Sequence, residues 1–210
     1  FRNASQMDFN TEIQKDAYLN YARLSYEIGN AYEPVPQVMT NYLERYPNDA
    51  HTEEIQNLLV DSYITSKNFA GAMTLLESNK NFATKATYQK VAFYRGVELF
   101  LETNYEEASN VFQKSLNSAE DTFFEARARY WKAEADYALN HFDEAVAGYL
   151  QFKENPRARA TTEFKELYYN LAYAYFKLKD YPNAIASFNN YLESGSSDAV
   201  KLDDAYLRLG

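Results

Sequence analysis

The sequence predicts an all-α fold, an α-solenoid of antiparallel helix-turn-helix repeats, and three observations predict it. First, Gly and Pro together make only 11 of 210 residues, about 5% against a usual share of roughly 12%, whereas a sandwich or barrel would use both freely in its turns. Second, an aromatic follows a polar, turn-like residue at Tyr32, Phe69, Tyr105, Phe142 and Tyr181, at intervals of 37, 36, 37 and 39 residues. Third, each aromatic is followed at a fixed offset by a small residue (Val35, Ala72, Ala108, Ala145, Ala184) and then by a larger apolar one (Met39, Leu76, Phe112, Tyr149, Phe188). These offsets keep all three on one helical face. A further small residue precedes the aromatic, at Ala22, Val60, Gly96, Ala133 and Ala172. Two small columns let two helix axes approach closely, and the aromatic is expected to fill the wedge beside that contact.

The elements follow in order. Residues 1–8 read as the end of a second helix, because Phe1 and Ala4 repeat the spacing of Phe112 and Ser115. The first full repeat, 10–47, predicts helices over 10–29 and 34–46. Its second helix opens with Pro34 and Pro36, which suit a first turn whose N–H groups lack intrahelical partners. Repeat two, 51–82, predicts helices over 51–66 and 69–80, and repeat three, 86–119, predicts them over 86–102 and 105–118. Repeat four, 122–156, has helices over 122–139 and 142–154, and repeat five, 162–194, over 162–178 and 182–194. Ser194-Gly195-Ser196-Ser197-Asp198 is a flexible linker, and 199–210 starts another repeat. Second helices open with Glu106-Glu107, Asp143-Glu144 or Pro182, where acids face the positive end of the helix dipole. Asn68, Asn104, His141 and Asp180 precede the aromatics, and residues of these types adopt positive φ more readily than others. They are expected to reverse the chain. The length of each period beyond the helices is assigned to 77–85, 117–123 and 155–163.

The pattern resembles the tetratricopeptide repeat, whose signature is W-x2-L-G-x2-Y, then A-x3-F, then P. Leu171-Ala172 and Tyr175, followed by Ala184 and Phe188, carry the resemblance best; Leu209-Gly210 restates the Leu-Gly pair, and Pro47 and Pro156 the terminal proline. Arg95 and Lys132 stand where the family has leucine, and the periods exceed its 34 residues. The resemblance implies a right-handed superhelix whose first helices line a concave, ligand-binding side. It extends more loosely to bacterial cell-envelope tetratricopeptide proteins, which implies a periplasmic or envelope setting.

A formal charge of −9 with scattered Lys and Arg repels phosphate backbones, so nucleic acid is not expected as a partner. No apolar stretch is long enough for a membrane span. With no Cys, disulfides, thiolate metal sites and Cys nucleophiles are excluded. His51 and His141 are the only histidines and both fall in turns, too few nitrogen ligands for a transition metal. The acid pairs Glu53-Glu54, Glu106-Glu107 and Asp203-Asp204 fall at expected helix starts, where neighbouring side chains diverge by about 100° and the dipole accounts for them. No phosphate loop or nucleophile–base pattern is present. The sequence therefore offers no catalytic residue, no cofactor and no metal.

What remains is surface. The resemblance maps a partner-binding groove to Tyr26, Phe93, Tyr130, Glu134, Tyr137, Tyr169, Tyr173 and Phe176 on the first helices. Tyr and Phe offer large rigid area at low entropic cost, so a peptide or protein segment is the expected ligand. The family's carboxylate clamp is not reproduced, since Glu54 and Asp61 put acids in comparable places. An interaction scaffold is the first reading; a structural spacer or self-assembling subunit of a larger envelope complex is the second.

Overall fold

The structure, a computed structural model, describes residues 1–8, 10–78 and 84–210. Among the described residues every regular element is a helix and there is no strand. They fall into two compact units, 1–84 and 85–210. The first holds α1 (Arg2–Ser5), α2 (Thr11–Ile28), α3 (Val35–Arg45), α4 (Thr52–Thr65) and α5 (Phe69–Ser78). The second holds α6 (Lys85–Leu101), α7 (Tyr105–Asn117), α8 (Thr122–Ala138), α9 (Phe142–Glu154), α10 (Leu167–Lys177), α11 (Tyr181–Glu193) and α12 (Ala199–Leu209). Two 3-10 segments, Ala158–Ala160 and Thr162–Glu166, join α9 to α10, so the tenth helix starts later than the expected 162. Residues 79 and 80, the expected end of a second helix, lie outside the described residues, as do 81–83 of the expected linker.

The turns depart from expectation by one residue. Positive φ falls on Lys67 (57°), Thr103 (62°), Asn140 (65°) and Lys179 (62°), whereas Asn104, His141 and Asp180 have φ of −87°, −85° and −83° and occupy the N-cap position of the following helices. The reason is a closed backbone pattern. Asn104 N donates to Leu99 O and Thr103 N to Phe100 O, both at 2.9 Å, and the same two bonds recur at the other three turns. That is a Schellman closure, which satisfies the last carbonyls whatever side chain sits at the left-handed position. At two of the four turns the short polar residue acts one place later: Asn68 Oδ1 accepts from Gly71 N at 2.9 Å and Asp180 Oδ1 from Asn183 N at 3.3 Å, whereas Asn104 and His141 hold the same position without a side-chain bond to the helix start. In the first unit Gly29 takes the positive φ (79°), and Asn30 Oδ1 accepts from Tyr32 N and Glu33 N.

The small and large columns behave as the repeat requires: Ala22, Ala72, Ala108, Ala133, Ala145 and Ala172 are buried without residue, as are Met39, Phe112 and Tyr149. A Cβ on Gly96 would stand 2.6 Å from the Phe112 ring, and one on Gly148 would stand 2.9 Å from Ala133 Cβ. The aromatic column does not fill a wedge throughout. Phe69 is buried, but Tyr32 is 76% exposed and Tyr181 51%. Tyr105, Phe142 and Tyr181 instead meet an aromatic five residues earlier, edge to face: Phe100, Tyr137 and Phe176 at 5.1, 5.3 and 5.8 Å between ring centres. The column braces the turn because the closure folds those two positions together.

In unit 1 the core joins Tyr18, Leu19 and Ala22 of α2, Val38, Met39 and Tyr42 of α3, and Ile55 and Leu59 of α4. Asp49 is its polar hub, accepting from Tyr42 Oη (2.7 Å) and His51 N (3.0 Å) and pairing with Lys15 Nζ (3.2 Å). Arg23 grips Glu54 through two bonds at 2.6 and 2.7 Å. In unit 2 the fully buried Gln89 clamps the α7–α8 connection: its Oε1 accepts from Glu120 N and Asp121 N, and its Nε2 donates to Asp121 O. The two charges standing where leucine was expected are placed by ion pairs: Arg95 meets Glu98 at 3.2 Å, and Lys132 meets Asp136 at 2.8 Å.

Candidate functional site

Tyr130, Glu134 and Tyr137 are spaced by four and three residues along α8, and Tyr169, Tyr173 and Phe176 repeat that spacing along α10, so each trio faces one way. Asp121 Oδ1 caps the start of α8 by accepting from Phe123 N at 2.8 Å, which fixes its register. Between the two helices opens a cleft of about 280 Å³ lined by Glu134, Tyr137, Tyr149, Tyr169, Asn170 and Tyr173.

The cleft is organised around Glu134. Its Oε1 accepts from Tyr149 Oη at 2.7 Å and from Asn170 Nδ2. Asn170 Nδ2 also donates to Tyr130 Oη at 2.7 Å. Burial pushes the Glu134 carboxyl above the usual carboxylate range, in spite of the Tyr149, Asn170 and Tyr130 hydroxyl and amide groups that favour its charge. The Tyr130 and Tyr149 hydroxyls are driven up by burial first and by the nearby carboxylate second. A second buried carboxylate of unit 2 behaves oppositely: burial pushes Glu163 up, but Trp131 Nε1 (2.9 Å) and Arg127 Nε (2.8 Å) donate to it and bring it below its ordinary value.

From α12, Asp204 accepts from Tyr169 Oη at 3.0 Å and from Tyr173 Oη, and the Tyr173 bond holds its carboxyl below the usual range. Lys201 Nζ lies 5.4 Å from the Tyr169 ring centre, and the Arg208 guanidinium lies 5.5 Å from that of Tyr173. Asp204 is thus not a first-turn acid, since α12 begins at Ala199; its work is to anchor two tyrosine hydroxyls.

Of the eight residues expected in a groove, Glu134, Tyr137, Tyr169 and Tyr173 meet in this cleft. Tyr130 is 4% exposed and lies beneath, its ring against Tyr149 and Phe152. Phe93 is fully buried among Tyr94, Phe112 and Phe124, with the Arg127 guanidinium 4.6 Å from its ring centre, and presents nothing to a ligand. Phe176 is exposed but packs on Tyr181 and Arg208. Tyr26 belongs to unit 1, on α2. Tyr149 and Asn170 were not expected. Tyr149 occupies the large-apolar column, where its hydroxyl is the one departure from Met, Leu and Phe; Asn170 sits between tyrosines with no signal of its own.

Among the described residues no group of three or more His, Asp or Glu side chains is placed to hold a metal ion, and no helix is long and apolar enough to cross a membrane. No protein-family model matches the sequence, and no curated protein matches it. Solved structures do. YrrB, described as a TPR protein with an unusual peptide-binding site, superposes with a TM-score of 0.60 at 16% identity over 93% of this chain and 94% of that one. MamA gives 0.56 at 17% identity, covering 85% and 90% of the two chains. MamA from Desulfovibrio magneticus RS-1, residues 41 to the end, gives 0.52 at 16% identity, covering 88% and 97%. With these likenesses and the helix pairs above, the chain has the all-α fold of tetratricopeptide-repeat proteins.

Proposed function

We propose that the chain is a non-catalytic interaction scaffold whose α8–α10 cleft takes a side chain of a peptide or protein segment. The observation that carries this reading is the convergence of Tyr137, Tyr169, Tyr173 and Glu134, from two first helices, on one open cleft backed by the buried Tyr149. Tyrosines are favoured binding anchors because their rings desolvate readily while their hydroxyls keep partners. YrrB, with the same fold, is described as having a peptide-binding site, which supports a segment as the ligand. The test is selection of peptides from a displayed library on the whole chain. Replacing Tyr137 and Tyr173 together by Ala is expected to abolish binding of the selected peptides while the helical circular dichroism is retained. Peptides that bind the double variant as well as the parent sink the reading.

A second reading, a structural spacer or self-assembling subunit, draws on the apolar side of α12, where Val200 and Leu207 are 79% and 76% exposed. It predicts that replacing both by Lys lowers self-association in sedimentation and leaves peptide binding unchanged.

A further inference from the structure

We infer that the α8–α10 cleft is a receptor for a single alkylammonium group, a lysine side chain of a partner segment, with Glu134 as its counter-charge and Tyr137, Tyr169 and Tyr173 as its walls. This deepens the segment-binding proposal and rests on it. The first argument is charge. Glu134 lines the cleft, yet every hydrogen bond described for its Oε1 comes from a neutral group, Tyr149 or Asn170. The cation that senses it, Lys201, has its ammonium bonded to Glu166 at 2.5 Å. Glu163, in the 3-10 segment before α10, shows the alternative, since it is paired with Arg127 at 2.8 Å. A largely buried carboxylate without a cation is costly unless something charged completes it, and its raised affinity for protons says that a positive group is what it lacks.

The second argument is the walls. A cation over a tyrosine face is attracted by the ring quadrupole, most of all when water is excluded. Tyr169 and Tyr173 already act this way toward Lys201 and Arg208 of α12, at 5.4 and 5.5 Å, so these rings are cation receptors within this chain. Tyr137 adds a ring from α8. The third argument selects ammonium over guanidinium. A guanidinium fork asks for both oxygens of one carboxylate, as Glu54 offers Arg23. Glu134 Oε1 is already engaged twice, by Tyr149 and Asn170. A point charge that approaches one oxygen and the rings fits; a fork does not. The net charge of −9 favours a basic partner over an acidic one.

The test titrates the whole chain with acetyl-lysine methylamide and, as the analogue that lacks only the ammonium group, acetyl-norleucine methylamide, following amide shifts in 1H–15N spectra. Shifts confined to α8 and α10, with the lysine probe bound about tenfold more tightly than the norleucine probe, are expected. Glu134→Gln keeps the volume and an acceptor for Tyr149 and is expected to erase that preference. Should this variant fail to fold, Tyr137→Leu, expected to weaken lysine over norleucine severalfold, serves in its place. n-Butylammonium is the third probe: binding as tight as acetyl-lysine methylamide keeps the receptor and makes a free amine its ligand. Equal affinity for lysine and norleucine, or a lysine preference that survives Glu134→Gln, overturns the inference. Failure here leaves the segment-binding proposal standing if library-selected peptides still need Tyr137 and Tyr173; loss of that dependence sinks both.

Discussion

At the residue scale, two carboxylates in different settings set opposite responses to acid. Asp49 is held well below the ordinary carboxylate range, first by the His51 backbone amide and then by the Tyr42 hydroxyl. A depressed folded value means that its stabilisation is present above the unfolded value of about 3.9 and is lost as pH falls through the folded one. Glu134 is raised, so its favourable contribution is complete below the unfolded value of about 4.3 and is lost as pH rises through the folded one. Urea midpoints of Glu134→Gln and the parent are therefore expected to approach one another as pH falls from neutral to below about 4.3, with the variant the more stable at neutral pH. Asp49→Ala leaves the buried Tyr42 hydroxyl without its acceptor and is expected to cost about 1–3 kcal/mol near neutral pH, a difference that begins to shrink below pH ~4, where the carboxylate of the unfolded chain takes up a proton, and goes on shrinking until the folded one does. A third residue is strained by its backbone alone. Thr103 is β-branched and sits at φ 62°, in the exposed turn between α6 and α7, where the left-handed conformation costs an L-residue about 1–2 kcal/mol. Thr103→Gly is expected to raise stability by about 0.5–1 kcal/mol, the relief being partly offset by the added freedom of the unfolded chain. An unchanged or lower urea midpoint at constant slope contradicts this.

At the scale of the element, helix pairs are set by side-chain size at a few positions. α6 and α7 approach where Gly96 meets the Phe112 ring, and an added Cβ at 2.6 Å has no room while that ring is fully buried. Gly96→Ala is expected to destabilise by about 1–3 kcal/mol, and Phe112→Leu in the same chain to recover part of it, because the smaller side chain vacates the space the methyl needs. A pair of changes whose costs simply add contradicts direct contact. This contact was legible in the sequence because size columns survive translation into packing: Gly96, Ala133 and Ala172 stand where axes cross, and Phe112, Tyr149 and Phe188 fill the core between them. Among the described residues helix ends were legible to within a residue or two, except the start of α10, which comes five residues after the expected 162 because Thr162–Glu166 is a 3-10 segment. What was not legible was the division of labour inside the turns, where Lys67, Thr103 and Lys179 take the left-handed conformation. A Schellman closure is made by backbone atoms, so side-chain identity there carries little information. The cleft was half legible. The periodicity of α8 and α10 put Glu134, Tyr137, Tyr169 and Tyr173 on inward-facing rows, but nothing in that periodicity separates Phe93, buried by α7 and α8, from Tyr137 at an opening. Asn170 was missed because its role, joining Tyr130 to Glu134, exists only once two helices are packed.

At the scale of the whole molecule, charge acts beyond any one contact. With 30 Asp and Glu against 21 Lys and Arg, the proposed capture of a lysine-bearing segment divides into long-range attraction by the net charge and retention by the cleft. These two effects separate in kinetics. Long-range attraction raises the association rate and is screened once the Debye length falls from about 10 Å at 0.1 M salt to about 3 Å at 1 M; short-range contact with Glu134 and the tyrosine rings lies inside that length and governs dissociation. A lysine-bearing peptide selected on the parent chain is therefore expected to associate about tenfold more slowly at high salt, with a dissociation rate that changes by less than about threefold. Glu134→Gln alters the net charge by a single unit and is expected to leave association nearly unchanged while speeding dissociation by about tenfold. Stopped-flow traces of both proteins at the two salt concentrations separate the rates. A Glu134→Gln effect confined to association would place that carboxylate in the general field rather than in the cleft, and salt-sensitive dissociation would mean that the peptide rests on the exposed acidic surface instead of between α8 and α10.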